Sequence, residues 1–189
     1  MDYNYDGAYE FYKLIIKGIA EKAAFYDKHG FGKPPVHEKD WEVFGAILTN
    51  DTAKNGKKAK GGQGTDLKNG EIKSACSVNK SFRFEYQYHK NSALAKLEED
   101  KLVDHYYVLY DKSYQNIKVW KLPKEQFALY VETKIVKGKH KGKDWKQLIV
   151  EAYYSGKSSQ RCRPGMSYKY VVENGEMIME IENGILKKK

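Results

Sequence analysis

Cysteine is nearly missing from this chain: Cys76 and Cys162 are the only two in 189 residues, with no CxxC pair and no Cys/His cluster. That argues against a structural zinc site and a disulfide framework, and suits a reducing compartment such as the cytoplasm. Proline is scarce (4 residues), and arginine occurs only at positions 83, 161 and 163. No apolar run comes near the roughly 18 residues a membrane span needs. The segment "YKLIIKGIA" is short and carries lysines inside it. "MDYNYDG" lacks a basic segment followed by an apolar one, so no signal peptide is expected.

Positive charge and tyrosine are plentiful. Lys and Arg number 34 against 25 Asp and Glu, a net charge of +9 with a pI near 9.2, and there are 16 tyrosines. This is the composition of a globular chain, most simply one domain (1–189) long enough to bury a core. Excess positive charge draws polyanions, because each neutralised phosphate releases counterions. A solubilising lysine surface would carry the same total charge. Here, however, the lysines concentrate in two glycine-bearing runs, "KNGKKAK" (54–60) and "KIVKGKHKGKDWK" (134–146). Glycines let such loops follow a phosphate backbone, and Lys57, Lys58 and Lys60 are the phosphate-contact candidates.

Apolar residues at Phe11, Leu14, Ile15, Ile19 and Ala23 have helical spacing over 8–28, and "HGFGKPP" ends that helix. A second helix is expected over Asp40–Leu48 with Asp40 as its N-cap. A loop follows over 50–64. "EIKSACS" reads as a strand, "SFRFEYQY" alternates like one, and "NSALAKLEEDKL" reads as a helix. "HYYVLYD" and "NIKVWKL" are two strands joined by "KSYQ", and "PKEQFALYVE" is a helix with Pro in its first turn. "QLIVEAYY" and "YKYVVENGEMIMEIENG" are expected as strands, with a hairpin at Asn174-Gly175. The fold class is α+β: a central mixed sheet flanked by helices, with a helical region over 1–49 and the functional core over 50–181.

The chemistry concentrates in "GTDLKNGEIKSA" (64–75). Asn-Gly favours a two-residue type I′ turn, which here pairs Lys68 with Glu71, Leu67 with Ile72 and Asp66 with Lys73. Strand parity then puts Asp66, Glu71 and Lys73 on one face and Leu67 and Ile72 on the core face. Two converging carboxylates can hold Mg²⁺, a hard cation that takes oxygen ligands. A lysine beside them can orient or deprotonate an attacking water and steady negative charge. A solvated hairpin is the ordinary alternative. Against it stand the apolar "SACSV" that follows, which is expected to continue the strand into the buried core, and the lysine-rich loop that precedes.

These residues resemble the PD-(D/E)xK nucleases, and among them the type II restriction endonucleases. The likeness runs over roughly His29 to Ile178. It is carried by "HG" after the first helix, "GGQGTD", "GEIKS", "YQYHKN", "HYYVLY…IKVWKLPKEQFALY" and "YS…RPGMSYKYVVENGEMI". What it implies is a homodimeric, Mg²⁺-dependent endonuclease on duplex DNA, with region 1–49 forming much of the subunit interface. Asp66 and Glu71, with Ile72, would hold the metal, and Lys73 would serve the nucleophilic water. The products would be a 5′-phosphate and a 3′-hydroxyl. A cognate DNA methyltransferase would be a genetic companion only.

Gln87, His89 and Asn91 are base-reading candidates, since amides pair with adenine and His can donate to guanine. Arg83 is a further DNA-contact candidate. Cys162 and Arg163 precede Pro164 where the family carries two Asn, so Arg161 or Arg163 would read a guanine instead. The family's Tyr on the following helix is replaced by Leu97 or Glu98. Asp40 and Glu42 are either further acidic members of the site or capping residues. His29, His37, His105 and His140 receive no chemistry. The alternatives are a structure-specific resolvase or repair nuclease, and a non-catalytic DNA-binding module.

Overall fold

The first apolar stripe makes a continuous helical rod: α1 (Tyr5–Phe11), a π-helical turn (Tyr12–Ile16) and α2 (Lys17–Lys28). Asn4 starts it, its side-chain oxygen accepting from the Gly7 N–H at 2.9 Å. In this computed structural model the described residues are 2–29, 38–52, 65–77, 83–89, 92–134, 142–154 and 161–187. Helix α3 (Glu38–Leu48) buries Trp41, Phe44 and Leu48, an i, i+3, i+7 stripe. It begins two residues before the expected Asp40, so Asp40 lies in the first turn and is not the N-cap.

The remaining elements are β1 (Gly70–Cys76), β2 (Arg83–Glu85), β3 (Tyr88–His89), α4 (Ala93–Asp100), β4 (Asp104–Tyr110), β5 (Ile117–Leu122), α5 (Lys124–Thr133), α6 (Trp145–Tyr154), β6 (Arg161–Cys162), β7 (Gly165–Ser167), α7 (Tyr168–Asn174), β8 (Glu176–Glu182) and β9 (Ile185–Lys187). Five strands form the central mixed sheet in the order β1-β4-β5-β8-β9. β1 and β4 are parallel, joined through α4, and the other pairs are antiparallel. The expected α+β class therefore holds. One sheet face carries Ile72, Tyr106, Val108, Val119 and Met179 against the N-terminal helices. The other carries Tyr107 and Leu122 against α4, α5 and α6. Among the described residues no helix is long and apolar enough to cross a membrane.

Two expected strands are helices. Over 147–154 the chain is part of α6, which buries Trp145, Leu148 and Ile149. Its start carries a reciprocal cap: the Gln147 N–H donates to Asp144 Oδ1 at 2.7 Å, and the Asp144 N–H to Gln147 Oε1 at 3.0 Å. "DWKQ" thus spells a capping box, which outweighs the β-propensity of "LIV". Over 168–174 the chain is α7, begun by Ser167, whose side chain accepts from the Tyr170 N–H at 3.2 Å.

Asn174-Gly175 accordingly makes no hairpin; Gly175 joins α7 to β8. A Cβ there would lie 2.7 Å from both the Lys121 and Val171 carbonyl oxygens, so glycine is required by close approach. Gly175→Ala is expected to lower unfolding free energy by about 1–3 kcal/mol in a urea titration. The type I′ turn falls instead at Asn183 (φ 51°) and Gly184 (φ 77°), between the paired Glu182 and Ile185. The N-terminal rod docks on this hairpin, with the Tyr9 hydroxyl donating to the Gly184 carbonyl at 2.8 Å.

Candidate active site

Strand β1 lies at one edge of the central sheet, and its alternation divides its side chains. Ile72 turns to the N-terminal helices, while Glu71 and Lys73 turn to the α4 side. The parallel register sets Glu71 beside His105 and Lys73 beside Tyr107 on β4. Burial is deepest at the start of β1: Glu71 and Ile72 are buried, whereas Ser74, Ala75 and Cys76 are half-buried. The expected burial of "SACSV" is thus corrected for Ser74–Cys76; Val78 lies outside the described residues.

The approach to β1 also differs from the expected type I′ turn. The Leu67 N–H donates to the Gly70 carbonyl at 2.9 Å, centring the reversal on Lys68-Asn69, and neither Asn69 nor Gly70 has a positive φ. Tertiary contacts impose this register. The Asn69 N–H donates to Asp51 Oδ2 at 2.8 Å, and the Lys68 N–H to the Thr52 carbonyl at 2.9 Å. Convergence survives by another route. Asp66 Oδ2 accepts from the Ile72 N–H at 3.2 Å and from Lys73 Nζ at 3.3 Å, and the Asp66 N–H donates to Glu71 Oε2 at 2.8 Å. Leu67 and Ile72 are buried in one core cluster, as strand parity required.

The Lys73 ammonium touches three oxygens: Asp66 Oδ2, Glu71 Oε1 and, at 3.1 Å, the Ile72 carbonyl. These belong to the three residues expected to hold a metal. A cation of the protein's own is thus held by a hard-oxygen set of two carboxylates and a carbonyl, the donor chemistry that Mg²⁺ prefers. Among the described residues no cluster of three His, Cys, Asp or Glu side chains gathers into a metal cage.

Electrostatics separate the two carboxylates. Burial pushes Asp66 up to about 6, opposed by Lys73 and helped by the charges of Glu71 and Glu42. Burial pushes Glu71 up too, but Lys73 and Lys96 together hold it down at about 2. For Lys73, burial favours the neutral amine, yet Asp66 and Glu71 outweigh it and the pKa rises above the ordinary lysine range. Glu42 therefore acts on the site from α3, paired there with Lys39 at the helix start.

The α4 residue facing Glu71 is Lys96, which the sequence reading missed. Its Nζ lies 3.0 Å from Glu71 Oε1 and 2.9 Å from Asp100 Oδ1. Leu97 is buried in the apolar cluster and Glu98 is exposed. The i, i+4 spacing of Lys96 and Asp100, on the same helix face as apolar Ala93 and Leu97, was the available signal. His105, given no role, is buried here. Its Nε2 lies 2.7 Å from the Asp100 carbonyl, so Nε2 carries the proton, and Nδ1 accepts from the Tyr86 hydroxyl at 2.7 Å.

Burial holds His105 down at about 4. A depressed imidazole adds stability that is fully present above the ordinary value near 6.5 and is lost as pH falls through about 4. The stability advantage of the parent over His105→Gln is therefore expected to shrink by about 3 kcal/mol between pH 7.5 and pH 3.5. Urea titrations of both proteins across that range check this; parallel curves would contradict it.

Two distant candidate segments become neighbours. β2 pairs with β7, β3 pairs with β6, and the Tyr86 N–H donates to the Pro164 carbonyl at 2.9 Å, making one interrupted antiparallel ribbon. Phe84, Tyr86 and Tyr88 are buried beneath it, whereas Arg83, Gln87, His89 and Arg163 are exposed or half-buried. Glu85 lies between two arginines, 4.0 Å from Arg83 and 3.9 Å from Arg163. The buried face meets the site directly: Lys73 Nζ is 5.2 Å from the Tyr86 ring centre, and the Tyr88 hydroxyl donates to Asp100 Oδ2 at 2.8 Å. Lys57, Lys58, Lys60, Asn91 and the side chain of Arg161 lie outside the described residues, as does His29's expected continuation "GFGKPP".

Compared with known proteins, the chain matches no protein-family model and no curated protein.

Proposed function

We propose that this chain is a Mg²⁺-dependent endonuclease that cuts duplex DNA at a short specific sequence, as a type II restriction endonuclease does. The observation that carries this reading is the Lys73 ammonium bound by Asp66 Oδ2, Glu71 Oε1 and the Ile72 carbonyl. An oxygen set that already holds a monovalent cation suits a small divalent one, and it sits beside the ribbon that carries the candidate DNA-contact side chains.

Asp66, Glu71 and the Ile72 carbonyl would hold Mg²⁺, which supplies Lewis-acid stabilisation of the phosphate and a more acidic bound water. Glu71 stays ionised at neutral pH and offers Oε1, while its Oε2 is kept by the Asp66 N–H. Lys73, released from the carboxylates, reaches the attacking water and the scissile phosphate as a protonated donor, orienting the one and offsetting charge on the other. The ribbon 83–89 with 161–167 is of a kind that fits the major groove, presenting Gln87, His89 and Arg163 to base edges and Arg83 to the backbone. Exposed Leu14, Ile15, Phe25 and Val43 give the N-terminal helices an apolar surface for a second subunit.

The test is a supercoiled plasmid incubated with Mg²⁺ or with EDTA. Discrete Mg²⁺-dependent fragments support site-specific cutting, and a preference for branched DNA would point to a resolvase. Binding without cleavage under any divalent cation would defeat both enzyme readings.

A further inference from the structure

Two lysines meet at one oxygen of Glu71, but their surroundings differ. Lys73 is 17% exposed and spans Asp66, Glu71 and the Ile72 carbonyl. Lys96 is 3% exposed and held from behind: Asp100 Oδ1 binds its ammonium, the Tyr88 hydroxyl fixes Asp100 Oδ2, and the Asp100 carbonyl meets His105 Nε2. Lys73 has a way out to solvent, and Lys96 is locked within the fold.

We propose that Lys96 is a permanent counter-cation to Glu71 that weakens the site's affinity for a divalent cation, so that firm cation binding waits for the added negative charge of a DNA phosphate. This inference rests on the metal-dependent reading above. Its direction follows from geometry. Both ammoniums contact Glu71 Oε1, so Lys96 lies next to the place that an incoming cation would take from Lys73. A fixed positive charge at that range repels a divalent ion strongly in a buried site. Losing Lys96 would not leave Glu71 adrift, because the Asp66 N–H still holds Oε2 at 2.8 Å. Removing the charge therefore relieves repulsion at little cost in orientation. Lys96 touches neither water nor phosphate in this scheme; it acts through Glu71.

The experiment is Mn²⁺ binding to DNA-free protein, read from the electron paramagnetic resonance of unbound Mn²⁺, for the parent, Lys96→Met and Lys96→Met/Asp100→Asn. The double variant removes the buried ion pair as a unit and keeps the acceptor for Tyr88; it carries the test where the single variant does not fold. Mn²⁺ affinity is expected to rise about tenfold or more in Lys96→Met, and by less but in the same direction in the double variant, which also removes the more distant Asp100 charge. Lys96→Arg, which keeps the charge, should bind like the parent. Unchanged or weaker binding in the variants, with the parent still binding Mn²⁺, overturns the inference alone. No Mn²⁺ binding by any of them, all being folded, overturns the inference, and if duplex DNA added to the same titration still brings no Mn²⁺ binding, the metal-dependent reading falls as well.

Discussion

Asp66→Ala is expected to reduce Mg²⁺-dependent plasmid cleavage by about 10³-fold or more while leaving DNA affinity nearly unchanged. Asp66 Oδ2 is the oxygen that joins the loop before β1 to the strand itself, accepting from the Ile72 N–H and from Lys73 Nζ. Alanine removes one of three converging oxygens and frees Lys73 to collapse onto Glu71. Arg83, Gln87, His89 and Arg163, the proposed DNA contacts among the described residues, lie on a separate ribbon and are untouched. Lys73→Ala should show the same split, with a loss of about 10²–10³-fold, because it removes a donor and not a ligand. Nicking rates on supercoiled plasmid and a gel-shift titration separate the two effects. An Asp66→Ala protein that cuts at the parent rate would sink the site.

Glu71→Gln is expected to cost about 3–5 kcal/mol of stability as well as cleavage. Glu71 is fully buried and its Oε1 is shared by the ammoniums of Lys73 and Lys96. Neutralising it leaves both lysines with one anion fewer, and Lys96 in a place water does not reach. Its pKa supports the same size of effect. Held at about 2 against an ordinary 4.5, the carboxylate contributes stability above about pH 4.5 that is lost as pH falls through about 2. That difference corresponds to about 3 kcal/mol. Urea titration at neutral pH gives the number directly, and a loss under about 1 kcal/mol would mean that the buried pairs carry none of the stability assigned to them.

Where a local pattern coincided with burial, the sequence was readable. "SFRFEYQY" alternates, and Phe84, Tyr86 and Tyr88 are buried while their odd-numbered neighbours are not. Trp41, Phe44 and Leu48 mark α3, and parity along β1 correctly separated Ile72 from Glu71 and Lys73. Turn chemistry was less reliable because Asn-Gly has several uses. At Asn183-Gly184 it makes the type I′ hairpin, at Asn174-Gly175 it permits close backbone approach, and at Asn69-Gly70 contacts to Asp51 and Thr52 decide the register. Asp51, Thr52 and Lys121 are remote in sequence, so no short window around either dipeptide contains them.

Lys96 was hidden for a similar reason. On "SALAKLEED" a lysine reads as a solvated helix face, and only the parallel pairing of β1 with β4 brings α4 over Glu71. The His105–Tyr86–Tyr107 chain also depends on tertiary assembly, since its members come from β4 and the segment between β2 and β3. The capping box "DWKQ" was legible and outweighed the β-branched run after it, which is why 147–154 is a helix.

The most direct measurement is anomalous scattering from a crystal of the protein soaked in Mn²⁺. The expected result is a manganese peak within direct coordination distance of Asp66 Oδ2, Glu71 Oε1 and the Ile72 carbonyl, with the Lys73 ammonium withdrawn from all three. Manganese bound elsewhere, or Lys73 still seated among those oxygens at saturating Mn²⁺, would contradict the assignment of this oxygen set as the metal site.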